Sequence, residues 1–156
     1  MKIMLREYQN KDASDVKQVF AEFVEYHNQL DNCFGKISSH CEMFVEYIEK
    51  GITEDDFHVT IALADSKITG YCISKIEQKP PVYPTPSFGY IDNIAISGKF
   101  QKMGIGTMLF LDALEWFKSQ EIHRIECFAA IKNVKSTSFW RKMGFEVYME
   151  QMYLNI

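Results

Sequence analysis

The sequence predicts a single α/β domain over residues 1–156, with elements in the order β-α-α-β-β-β-α-β-α-β. Two observations carry this prediction. Some apolar residues recur every three or four positions and others alternate with polar ones, and the two kinds of segment are separated by turn residues. A third observation bounds the size: 156 residues, 47% of them hydrophobic, suffice for one real core, and no repeat, low-complexity tract or linker divides the chain.

Ile3 to Tyr8 is strand-compatible and ends at Asn10-Lys11-Asp12, a turn that offers Asp12 as a helix N-cap. Val16, Val19, Phe20, Phe23, Val24 and Leu30 then form one apolar stripe, with Lys17, Glu22 and Glu25 off it. After the break at Asp31 to Ser38, Ser39 and Glu42 have capping-box spacing. Met43, Phe44, Tyr47 and Ile48 make a second stripe, and Gly51 supplies its stop. Phe57, Val59, Ile61 and Leu63 alternate with His58, Thr60 and Ala62, and Asp65-Ser66-Lys67 turns this strand into another over Ile68 to Glu77. The stretch KPPVYPTPS holds all the prolines, so it is a loop of restricted flexibility. Further on, the pattern gives a strand over Gly89 to Ile96, a helix over Gly104 to Ser119 and a strand over Ile125 to Ala129. A short helix over Val134 to Met143 and a closing strand over Phe145 to Leu154 complete the chain.

A net charge of −4, with 24% charged residues in no long block, argues against a nucleic-acid surface and against disorder. The first residues carry charges and no continuous apolar run, and Asp112 and Glu115 interrupt the later apolar stretch well short of a span. The expectation is therefore a cytoplasmic protein with no membrane partner. Cys33, Cys41, Cys72 and Cys127 lie far apart, without CxxC or histidine partners at ligand spacing, and are expected as reduced thiols with no metal.

The chemistry-bearing stretch is Gln101-Lys-Met-Gly-Ile-Gly106, between the strand YIDNIAI and the helix TMLFLDALEWF. Glycines at a strand-to-helix junction either turn a corner or let an anion reach the free N–H groups of the helix start. A dinucleotide fingerprint would need glycine where Leu109 stands, and a P-loop cannot be drawn through Gly98 to Thr107. What remains is Q-x-x-G-x-G, with Lys99 and Lys102 beside it. Downstream, NVKSTSFWRKMGF places Asn133, Ser136, Phe139, Trp140, Gly144 and Phe145 in a second spaced pattern.

Together the two patterns resemble the GNAT superfamily of N-acetyltransferases, in element order over nearly the whole chain and in specific residues between about Tyr90 and Phe145. The resemblance implies a GNAT acyltransferase fold, with a mixed, mostly antiparallel twisted sheet flanked by about four helices. It also implies acetyl-CoA as cosubstrate and transfer of its acetyl group to a primary amine, on a small molecule or a peptide, by direct attack in a ternary complex. Gln101, Lys102, Met103, Gly104, Ile105, Gly106 and Thr107 would cradle the pyrophosphate. Ile94, Ala95 and Ile96 would pair with the pantetheine arm where two strands splay, and Asn133, Ser136 and Phe139 complete the cofactor set.

Asp92, interrupting an apolar strand just upstream, is the candidate base, with Glu77 and Glu126 as substitutes. The family's usual acid tyrosine is Trp140 here, and an indole N–H does not ionise usefully near neutral pH. Tyr148, Tyr153 and Cys127 are the substitutes for that acid. Trp140 keeps a second reading open, a GNAT-fold acyl-CoA-binding sensor or interaction module with weakened catalysis. The acceptor amine is expected between the region of Leu30 to Ser39 and the proline-rich loop with Tyr83. Glu22, Glu25, Asp31, Glu42 and Glu46 are acidic residues near it in sequence. A homodimer through the last strand is also compatible with the sequence.

Overall fold

Asp65 and Ser66 both adopt positive φ, 47° and 71°, the geometry of a two-residue hairpin turn whose twist matches the flanking strands. They join β2 (Phe57–Ala64) to β3 (Lys67–Gln78). Around this hairpin the computed structural model, which describes residues 2–35 and 39–156, builds a five-stranded sheet. β1 (Ile3–Glu7) pairs with the far edge of β2, and β4 (Ser87–Ile96) pairs with β3, all antiparallel. β5 (Ile125–Cys127) pairs parallel to β4, so the spatial order follows the chain, β1-β2-β3-β4-β5. The proline-rich loop closes the β3–β4 hairpin, with the amide of Lys79 donating to the carbonyl of Pro86 at 2.7 Å.

Each face of the sheet carries helices, which is why β2 and β3 each hold a continuous run of buried residues, 59–64 and 69–74. On one face α1 (Ala13–Leu30) and α2 (His40–Gly51) set Val16, Val19, Phe44 and Ile48 against Val59, Ile61, Tyr71 and Ile73. On the other, α3 (Ile105–Ser119) buries Ile105, Leu109, Phe110, Ala113 and Phe117 against Ala62, Cys72 and Ile91. α4 (Val134–Lys142) adds Trp140 to this second core. No helix among the described residues is long and apolar enough to cross a membrane.

Three local expectations are corrected. Asp12 precedes α1 but does not cap it with its side chain: the carboxylate accepts from both terminal nitrogens of Arg6, at 2.7 and 2.8 Å, and from the amide of Gln9. A charged, two-pronged partner outcompetes a single neutral amide. Ser39 makes no side-chain cap to α2, and Glu42 pairs with Lys17 instead of reaching back. The closing strand over Phe145 to Leu154 is not formed; among the described residues no strand follows α4. β5 ends after three residues, two short of the expected Ala129, and offers too short a template for a long antiparallel partner. Val147, Met149, Met152 and Leu154 accordingly stay exposed. Part of the expected acceptor region, residues 36–38, lies outside the described residues.

Candidate functional site

Strands β4 and β5 pair over three rungs, Gly89 with Ile125, Tyr90 with Glu126 and Ile91 with Cys127, and then part. β4 runs on to Ile96 while the chain after β5 continues as Phe128-Ala129-Ala130, and a cleft of about 910 Å³ opens between them. The parting coincides with a β-bulge. Against β3 the register passes from Ile73 opposite Asn93 to Ser74 opposite Ile91, leaving Asp92 as the extra residue. A bulge bends its strand and re-aims a side chain. Here it carries Asp92 to the α2 side, where it meets Tyr47. The buried hydroxyl of Tyr71 donates to Asn93 Oδ1 at 3.0 Å and fixes the bend.

At its other end the cleft reaches the N-terminus of α3. Gly104 takes φ 81°, a left-handed conformation that favours glycine, and no side chain caps the helix. The first amides of α3 therefore have neither an intrahelical nor a side-chain acceptor, the arrangement that receives an anion. At Gly106 a Cβ would stand 3.3 Å from Ile96 and 3.5 Å from Phe139, so the glycine keeps the floor of the cleft open. Lys102 also holds a positive φ of 63°, which turns the loop tightly into the helix. The Gln101 side chain donates to the carbonyl of Ile96 and accepts from Lys135, each at 3.4 Å, tying the loop to β4 and α4.

Asn133 caps α4, accepting from the Ser136 amide at 3.1 Å. Its amide nitrogen lies 3.3 Å from His27 Nε2, while His27 Nδ1 lies 2.9 Å from the Phe23 carbonyl. Because a carbonyl can only accept, the ring proton sits on Nδ1 and the lone pair of Nε2 receives Asn133. The Tyr26 hydroxyl completes this group at 3.5 Å from Asn133 Oδ1.

Most of the residues predicted from sequence gather in this cleft: Asp92, Ile94, Ala95, Ile96, Gln101, Lys102, Gly104, Ile105, Gly106, Thr107, Asn133, Ser136, Phe139 and Trp140 all line it. Met103, half exposed, and Lys99 are not part of the lining. Trp140 is only 5% exposed and packs edge-on to Phe110, Phe139 and Phe145, so the indole serves the core while one side borders the cleft. Tyr148 stands outside, donating to Glu126 Oε2 at 2.7 Å. Glu126 also accepts from Lys79 and Arg124. Burial would raise its carboxyl, but Arg124, Lys79 and Tyr148 outweigh this and hold it at about 2, which removes it as a base near neutral pH. Burial pushes the Cys127 thiol up to about 12.

The acidic residues expected near the acceptor are largely spent elsewhere. Glu22 accepts from Ser97 Oγ at 2.9 Å and from the Gly98 amide at 2.7 Å, bracing the start of the glycine loop. Asp31 pairs with Lys132, Glu42 with Lys17, and Glu25 accepts from Gln29. Sequence reasoning missed Tyr26, His27, Lys135 and Lys142, all of which line the cleft. Tyr26 and His27 lay in a helix read for its apolar stripe. Only the spacing of Lys135 and Lys142 from Asn133 hinted that α4 carries positive charge to the site.

Comparison with known proteins bears directly on this geometry. The family model described as the acetyltransferase (GNAT) family matches residues 23–145. The fold is similar to that of the BH1408 protein from Bacillus halodurans, at TM-score 0.85 and 18% identity, covering 98% of this chain and 99% of that one. It is similar also to aminoglycoside 6'-N-acetyltransferase AAC(6')-IG from Acinetobacter haemolyticus, at TM-score 0.77 and 17% identity over 100% and 98%. A third similar structure is AAC(6')-Iy in complex with the bisubstrate analog CoA-S-monomethyl-acetylneamine, at TM-score 0.75 and 15% identity over 100% and 99%.

Proposed function

The chain belongs to the GNAT acetyltransferase family, and on that footing we propose that it moves the acetyl group of acetyl-CoA to a primary amine in a ternary complex. One observation carries the reading: a single cleft runs from the parted edge of β4 to an uncapped, glycine-flanked helix N-terminus. The residues present fit the cosubstrate. Lys102, Lys135 and Lys142 line the same cleft as the helix start, suited to phosphates, and past Ile91 the edge of β4 facing β5 is left without a strand partner, suited to an amide-bearing arm.

Acetyl-CoA supplies an activated acyl carbon and a thiolate leaving group. The amides of Ile105, Gly106 and Thr107 would hold its phosphates, and Ile94 to Ile96 would orient its amide-bearing arm. Asp92 attracts the incoming ammonium and accepts its proton, directly or through water. Tyr26, which lines the cleft beside Asn133, would protonate the thiolate where Trp140 cannot.

Calorimetric titration with acetyl-CoA, followed by measurement of amine-dependent CoA release, tests the reading. Binding and release together support it, and absence of binding overturns it. Trp140 favours a second reading, an acyl-CoA-binding module without turnover. Binding with no release above hydrolysis across a broad amine panel would select that one.

A further inference from the structure

Lys75, on β3, projects to the α2 side of the sheet beside the bulge. Its ammonium lies 2.9 Å from Glu77 Oε1 and 3.3 Å from Asp92 Oδ1, over the rings of Tyr90 at 5.4 Å and Tyr47 at 5.9 Å. Two carboxylates and two aromatic faces are what a protein uses to hold an organic ammonium. Here the chain's own lysine fills that cage. Burial acts to lower the Lys75 pKa, but the hydrogen bond to Glu77 and the charge of Asp92 more than reverse it, so the lysine stays charged.

A related arrangement recurs four residues on, just past the end of β3. Lys79 pairs with Glu126 and lies over Phe88 at 4.8 Å and Tyr148 at 5.5 Å, while Arg124 takes the same carboxylate at 2.6 Å. Asp92, which lines the cleft, thus belongs to a surface beside it on which three carboxylates, Glu77, Asp92 and Glu126, are matched by three cations, Lys75, Lys79 and Arg124. An acceptor with several ammonium groups would find no surplus negative charge there and would meet fixed positive charges. A single ammonium needs only to share Asp92, whose Oδ1 faces Lys75 and whose Oδ2 accepts from Tyr47, and the Tyr47, Tyr90 and Phe128 rings offer an apolar body a surface, Tyr90 and Phe128 standing edge-on at 5.9 Å.

Resting on the acetyltransferase reading, we infer that the acceptor is a singly charged amine on an aromatic or apolar body. Lys75, by occupying the ammonium cage, excludes polycationic acceptors of the aminoglycoside or polyamine kind. Lys75 is therefore a specificity determinant that acts through charge and touches neither reacting atom.

The test is calorimetric and does not depend on turnover. Wild type, Lys75→Met and Lys75→Arg, each checked for folding by circular dichroism, are saturated with CoA and titrated with phenethylamine and with sisomicin at about 0.15 M salt. Wild type should bind phenethylamine more tightly than sisomicin. Lys75→Met should tighten sisomicin binding by about tenfold or more, and Lys75→Arg, which keeps the charge, should behave as wild type. Tighter binding of sisomicin than phenethylamine by wild type overturns the inference. So does an unchanged sisomicin affinity in Lys75→Met, or binding of neither amine by any variant. Failure of the acetyltransferase reading appears separately, as absence of CoA binding in the saturation step.

Discussion

In the proposed reaction Gly104 and Asp92 would divide the site's work between them, one admitting phosphate and the other meeting the amine. At Gly104 a Cβ would meet nothing within 4 Å, so space does not forbid a side chain; the φ of 81° and the added charge do. Gly104→Glu should cost about 1 kcal/mol of stability from the left-handed backbone alone, leaving the domain folded. It should also place a carboxylate where the phosphates bind. The expected outcome is a small fall in Tm together with complete loss of acetyl-CoA binding by titration calorimetry. Asp92→Asn should do the reverse. Acetyl-CoA binding should persist while kcat falls by about a hundredfold, the scale of a lost proton acceptor; unchanged kcat would remove Asp92 from that role.

α4 is a short helix whose start is fixed by a single side chain. Asn133 caps it through the Ser136 amide and at the same time receives Tyr26 and reaches His27, joining α1 to α4 across the cleft. Asn133→Ala should therefore destabilise the protein by about 1 kcal/mol, the usual cost of a lost cap. Because the same residue lines the cleft, affinity for acetyl-CoA should weaken in parallel, whereas a capping role alone would leave affinity unchanged once the protein is folded. Chemical denaturation and titration of the one variant separate the two. β5 shows the opposite economy. Three residues suffice to start the parallel pair, and its early end makes the opening into which the β4 edge faces.

Across the molecule, acid sensitivity follows from carboxylates held below their ordinary range. Glu126 drops from 4.5 to about 2, and Asp12 is lowered by its hydrogen bonds to Arg6 against the effect of burial. For a depressed carboxyl the unfolded chain binds the proton first. The stabilisation is then fully present above about 4.5 and is lost as pH falls toward about 2. Thermal melts across that window should show a steep decline in Tm for wild type and a shallower one for Glu126→Gln. Equal slopes would mean that Glu126 contributes nothing to acid unfolding.

The sequence by itself determined the elements through α4 and the cofactor end of the site. Helical and alternating periodicities are local, and a glycine pattern between a strand and a helix announces free N–H groups at the helix start, although Glu22 and Lys135, distant in sequence, brace the loop that leads into it. Gln101, Gly104, Gly106 and Asn133 could thus be named in advance, and the structure places them in one cleft. Only the tertiary structure decided the surroundings of Asp92. Whether Asp92 is free or engaged depends on Lys75, seventeen positions earlier, and on Tyr47, in another helix, contacts that arise from sheet register and a bulge. The last segment shows the same limit. Its apolar residues permit a strand, but a strand needs an edge to pair with, and β5 ends at Cys127. Charges that looked available along the chain were consumed by partners far away in sequence, because pairing is settled by proximity in space, which no local pattern encodes.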